Sequence, residues 1–102
     1  MNTSKSEACA ILMAWSRVCI TTTMLNKYHE SNRWCTTEFG GEAGNAFPRI
    51  LEPNGEIVYV GGIEDSVWFS RESVWDHTRF GPKTTFFFKH EQDAVHFKLR
   101  WG

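Results

Sequence analysis

The chain has 102 residues, 41% of them hydrophobic and 23% charged, the balance of a single globular domain over 1–102 rather than of a disordered segment. Eleven Lys and Arg against twelve Asp and Glu leave a formal charge of -1, which excludes a uniformly basic nucleic-acid coat and an acidic mimic of DNA. The distinguishing feature is aromatic, with five Trp and eight Phe beside only three Pro.

Ser4-Lys5-Ser6-Glu7 has the form of a capping box, with the Ser4 hydroxyl accepting from the Glu7 amide. Ala8, Ile11, Leu12, Trp15, Val18 and Cys19 then recur with helical spacing, which predicts one amphipathic helix. The β-branched run Thr21-Thr22-Thr23 weakens that helix, and its end is expected between 20 and 30. Trp34–Phe39 has strand-type residues and stops at Gly40-Gly41, and residues 40–46 read as a loop. Phe47–Leu51 and Glu56–Val60 flank Glu52-Pro53-Asn54-Gly55, whose Pro and Asn-Gly predict a β-hairpin turn. Pro48 makes the first arm a late-starting or edge strand, and Gly61-Gly62 ends the second.

Residues 63–80 fit two readings. Asp65 can cap a helix whose face holds Val67, Arg71, Val74, Trp75 and Thr78, and Gly81-Pro82 then supplies a stop signal. Two short strands are the other reading, because Val67, Trp68 and Phe69 suit either; the helix is preferred. Lys83–Lys89 is predicted as a strand, and its three consecutive Phe imply that both of its faces are covered. His90-Glu91-Gln92-Asp93 opens a last helix with acids in the first turn, Lys98 and Arg100 in the last, and Ala94, Phe97 and Trp101 on one face.

Cys9, Cys19 and Cys35 are odd in number and form no CxxC pair, so neither a disulfide framework nor a zinc knuckle is indicated. On a shared helix Cys9 and Cys19 would lie roughly 15 Å apart, beyond disulfide reach. Reduced, mostly buried thiols are expected. The apolar segment Ala8–Trp15 is too short for a membrane span, which takes about 20 residues. Only Lys5 precedes it and no clear cleavage pattern follows, so a cytoplasmic protein without membrane contact is expected.

The C-terminal run Phe86-Phe87-Phe88-Lys89-His90-Glu91-Gln92-Asp93-Ala94-Val95-His96-Phe97-Lys98-Leu99-Arg100-Trp101-Gly102 orders an aromatic strand, a Lys, an acidic turn, Asp-Ala and a Phe-x-Leu-Arg-Trp ending. In this it resembles the C-terminal signature of small bacteriophage accessory proteins, and Trp75 followed by Phe80-Gly81-Pro82 fits the same setting. The resemblance covers about the last 30 residues. It implies a phage protein in the cytoplasm of an infected bacterial cell and brings no catalytic residue with it.

Few constellations of reactive residues rise above background. His90 and His96 would stand about 120° apart around a helix, too divergent to share a metal. His29 with Cys35, or Asp76 with His77, would meet a metal only through an unforeseen fold, so no metal and no cofactor are expected. No Gly-x-Ser-x-Gly elbow is present, and the acid pairs Glu64-Asp65 and Glu91/Asp93 fall where caps explain them. No catalytic residue is therefore assigned. Gly40-Gly41-Glu42-Ala43-Gly44 lacks a following Lys-Ser/Thr, and Glu42 would repel phosphate, so it reads as a turn.

The richest polar-aromatic set is Trp68, Arg71, Trp75, His77, Arg79 and Lys83, with Arg33 and Trp34 as candidates to join it. Trp and Arg together suit a protein-binding hot spot, and they also suit base stacking with phosphate pairing. The plainer reading puts both Trp in the core with the cations over their rims.

The fold expected is α+β: a small antiparallel sheet of three to four strands with the N- and C-terminal helices packed on one face. The function expected is a non-enzymatic phage protein that binds and inhibits a host or anti-phage-defence protein. Binding of a nucleotide or single-stranded nucleic acid, including sequestration of a signalling nucleotide, is the alternative. A homodimer is a further use for exposed aromatics.

Overall fold

The computed structural model describes residues 2–44, 49–59 and 66–102. The elements run β1 (Asn2–Ser4), α1 (Lys5–Met13), β2 (Ser16–Thr21), α2 (Leu25–Phe39), β3 (Arg49–Leu51), β4 (Ile57–Tyr59), β5 (Ser66–Trp68), β6 (Trp75–Phe80), β7 (Lys83–Phe88) and α3 (Glu91–Trp101). The central sheet is antiparallel in the order β2-β7-β6, and two-stranded antiparallel ladders join β1 to β5 and β3 to β4. The chain is thus α+β, as the mixture of strand and helix patterns indicated.

The Ser4 cap forms as expected, its hydroxyl accepting from the Glu7 amide at 3.1 Å. The helix it opens is short, however, and ends at Met13. Residues 16–21 are a strand in which Val18 and Ile20 are buried while Arg17, Cys19 and Thr21 face outward. Helical spacing over 8–15 gives way there to a period of two, and the β-branched residues follow the latter. Cys9 and Cys19 therefore occupy different elements, both as free thiols, and Cys19 is exposed rather than buried.

The strand expected at Trp34–Phe39 is instead the end of the 15-residue α2. Its inward face carries Ser31 and Cys35, both fully buried, with Trp34 and Phe39 packed partly beside them. The Ser31 hydroxyl donates to the Lys27 carbonyl at 2.7 Å, which satisfies it inside the core. Small polar residues on the buried stripe hide its period from a reading based on hydrophobic residues. Gly40 then leaves the helix at φ +88°, in the left-handed region where glycine alone is unstrained.

The hairpin around Glu52-Pro53-Asn54-Gly55 is formed by β3 and β4, with Gly55 at φ +90°. Phe47, Pro48, Val60, Gly61, Gly62 and Asp65 lie outside the described residues, as does the Glu64-Asp65 pair. The helix preferred for 63–80 is not present in its described part: β5 and β6 occupy it, the two-strand reading. Gly81-Pro82 turns a β-hairpin instead of stopping a helix, since Phe80 pairs with Lys83 and Gly81 sits at φ +59°.

β7 is the central strand and is covered on both faces, as its three Phe predicted. On one face Phe86 and Phe88 join Val18, Ile20, Trp75, Cys35, Ala94 and Phe97 in a core roofed by α2 and α3. Phe97 meets Phe86 at 4.4 Å and Phe88 at 5.3 Å between ring centroids. On the other face Phe87 packs with Ala8, Leu12, Ile57, Val67, Phe69 and Ala43. The terminal helices are therefore shared between the two faces of the sheet rather than lying together on one.

Candidate functional site

The segment after α2 organises the edge of the sheet. The Trp75 indole donates to the Gly40 carbonyl at 2.7 Å, Ala43 N–H donates to Trp75 O, and Ser70 N–H donates to Ala43 O. Residues 40–44 are thereby stitched between β6 and the chain following β5. Gly44 is pressed so close to the Trp68 carbonyl that a Cβ would stand 2.5 Å from its oxygen. This seat delivers Glu42 to β6.

A buried polar chain results. Arg49 donates two hydrogen bonds to the Asp76 carboxylate, at 2.8 and 2.9 Å, and a third to the His77 carbonyl. The His77 amide donates to Asp76 as well. Asp76 shares the Phe87 face of β6, while the His77 ring lies on the Phe86 face between Glu42, 2.7 Å from Nδ1, and the Tyr28 hydroxyl, 2.9 Å from Nε2. Arg79 covers the Tyr28 ring at 4.6 Å.

Burial pushes the Asp76 carboxyl up, to about 6, against the opposing pull of Arg49. The Arg49 guanidinium is held charged by Asp76 despite its own burial. Burial also pulls Glu42 upward, but the His77 hydrogen bond and charge, with help from Asp76 and Arg49, outweigh it and hold that carboxyl below its ordinary value. Tyr28 is raised, chiefly by burial and then by Glu42.

Glu42, Asp76 and His77 present ligand atoms within 4.8 Å of one another, a grouping of the kind that holds metals. The sequence offered only the neighbouring Asp76-His77; Glu42 arrives 35 residues away through the glycine turn. In this arrangement both Asp76 oxygens are engaged by Arg49, and His77 Nδ1 by Glu42. The guanidinium already supplies the positive charge a cation would bring, so the cluster reads as an internally satisfied brace. Cys9 and Cys35 are likewise poor nucleophiles, because burial pushes both thiols up.

The six residues singled out in the sequence do not form one surface. Trp75 and His77 are interior, at 1% and 7% exposure, stacked on each other and on Phe86. Trp68 is 52% exposed on β5, opposite Asn2 of β1. Arg71 is exposed and paired with Glu7 of α1. Arg79 and Lys83 are exposed near the far end of the sheet but belong to opposite faces, since Lys83 shares a small cavity with Cys19, Thr78 and Thr85 on the Phe87 side while Arg79 stands with His77.

Arg33 and Trp34, the two candidates to join that set, belong elsewhere. With Glu30 and Thr37 of α2, and with Arg100 and Trp101 of α3, they line an open cleft of about 300 Å³. The long reach of α2 into a region read as strand is what kept this cleft out of sight in the sequence. Among the described residues no helix is long and apolar enough to cross a membrane. No family model, curated protein or solved structure matches the chain.

Proposed function

We propose that this chain is a non-catalytic phage accessory protein that binds and inhibits a host or anti-phage-defence protein in the bacterial cytoplasm. The observation that carries the reading is Trp68, a large apolar side chain 52% exposed on the outer side of a small ladder while Trp75 is fully enclosed. An indole left in water is a strong hot-spot candidate, because burying it against a partner removes a large apolar area and its N–H can still find an acceptor. Arg71, beside it in sequence and held by Glu7, adds a charged rim. The clustered polar residues Glu42, Arg49, Asp76 and His77 are engaged with one another, which favours binding over turnover. The phage-like C-terminal pattern supplies the biological setting.

The test is quantitative capture from bacterial lysate with the wild-type chain and with Trp68→Ala as parallel baits, followed by titration of any protein retained. Support is a protein held by the wild type and weakened by about 2 kcal/mol or more in the variant, at unchanged melting temperature. Equal retention by both baits would remove Trp68 from the interface, and retention by neither would remove the reading.

A further inference from the structure

The cleft between α2 and α3 has the chemistry of a ligand site that is independent of the Trp68 surface. Its walls are two helical segments: Glu30, Arg33, Trp34 and Thr37 from successive turns of α2, and Arg100 with Trp101 from the last turn of α3. Its volume of about 300 Å³ lies at the lower end of the range for small-molecule sites. The two indoles are rigidly backed. Trp34 packs against Phe39, Phe97 and His96 at centroid distances of 5.7, 5.9 and 5.1 Å, and both Trp34 and Trp101 rest on the core beneath α3.

Two cations share this small space. Arg33 and Arg100 are both exposed, and among the described residues neither guanidinium is in an ion pair. Arg100 lies 4.4 Å over the Trp101 ring, which holds its planar fork against an aromatic wall. The Trp101 indole N–H, shielded from solvent, has no acceptor among the described residues. Two guanidinium groups that line one cleft favour an anion, and their donor geometry matches phosphate oxygens. The flat Trp34 indole beside them suits a heteroaromatic ring. The Glu30 carboxylate in the same wall favours a ligand that also carries N–H or O–H donors over a bare polyanion.

We propose that this cleft binds one nucleotide unit, with its phosphate between Arg33 and Arg100 and its base against Trp34, because Arg100 already covers the Trp101 ring. One nucleotide is the fitting size, since a space of about 300 Å³ is filled by a single base with its phosphate. Phosphate and base each contribute, so neither alone is bound as well as the two joined.

The experiment is calorimetric titration of the full chain with AMP, GMP, CMP and UMP, with the four nucleosides, inorganic phosphate and short homopolymeric oligonucleotides as separate arms. At least one mononucleotide should bind, about tenfold or more tighter than its nucleoside or than phosphate. Arg33→Glu and Arg100→Glu should each weaken that binding by about tenfold or more while still unfolding cooperatively from a folded state, and Arg33→Ala and Arg100→Ala should weaken it less. The indole N–H signals of Trp34 and Trp101 should shift on titration when followed by NMR. Absence of binding by every mononucleotide at about 1 mM would overturn the proposal, as would binding of oligonucleotides alone. Phosphate binding as tightly as the nucleotide, or binding that survives both charge reversals, would overturn it equally.

Discussion

Arg49 and Asp76 show how a polar residue can be fixed in an interior. Their side chains are 2% and 0% exposed, and the pair is closed by two hydrogen bonds. Such a pair gives modest net stability, but removing one partner strands the other charge. Arg49→Met should therefore destabilise the chain by about 3–5 kcal/mol in urea melts, and adding Asp76→Leu should recover much of that loss. Glu42 tests the other end of the polar chain. Its carboxyl is held below its ordinary value of 4.5, so its charge stabilises the fold above that pH, and the contribution is lost as pH falls through the lowered folded value. Glu42→Gln keeps a hydrogen-bonding group but not the charge. The melting-temperature gap between wild type and Glu42→Gln should be full near neutrality and close below about pH 4.5.

Among the elements, α1 and α3 each clamp one face of β7. Leu12 and Phe97 are fully buried, one in each core. Leu12→Ala should cost about 2–5 kcal/mol and Phe97→Ala about 3–5 kcal/mol, measured by denaturant unfolding. Trp101, half-buried and at the rim, should cost less than Phe97. The segment 40–44 makes a different demand, for closeness rather than bulk. Gly44→Ala would place a Cβ 2.5 Å from the rigid Trp68 carbonyl, so the chain must shift. A loss on the order of 1–3 kcal/mol is expected in the same melts. Gly41, with open space around its position, should accept Ala with little effect.

Across the whole molecule, the central sheet separates two cores and leaves the five Trp in unlike roles. Trp75 is sealed under α2 and the 40–44 segment, whereas Trp68 faces outward from β5. Trp75→Ala should cost about 3–5 kcal/mol, while Trp68→Ala should leave the melting temperature within a degree or two of wild type. Reversed results in thermal melts would exchange the assignments of core and surface. The same division governs the candidate sites, because Arg79 and Lys83 are separated by the sheet between them while Arg33 and Arg100, 67 positions apart, share one cleft.

What the sequence determined by itself is local or strongly periodic. The Ser4 cap, the Asn54-Gly55 turn, the aromatic strand and the last helix each depend on residues within a few positions of one another, where capping, positive φ and alternation act directly. The α+β class followed from those elements. The tertiary structure decided the rest. Residues 16–21 became a strand because pairing with β7 buries Val18 and Ile20 on the α3 side of the sheet. Residues 34–39 are helical because that conformation turns Cys35, with Trp34 and Phe39 beside it, onto the core with Phe86, Phe88 and Phe97. The buried Asp76 and His77 of strand Trp75–Phe80 are satisfied because Arg49 reaches Asp76 and Glu42 reaches His77 from elsewhere in the chain. A buried charge finds its partner through the fold, and a cleft finds its two walls the same way, so neither leaves a period or a spacing in the sequence.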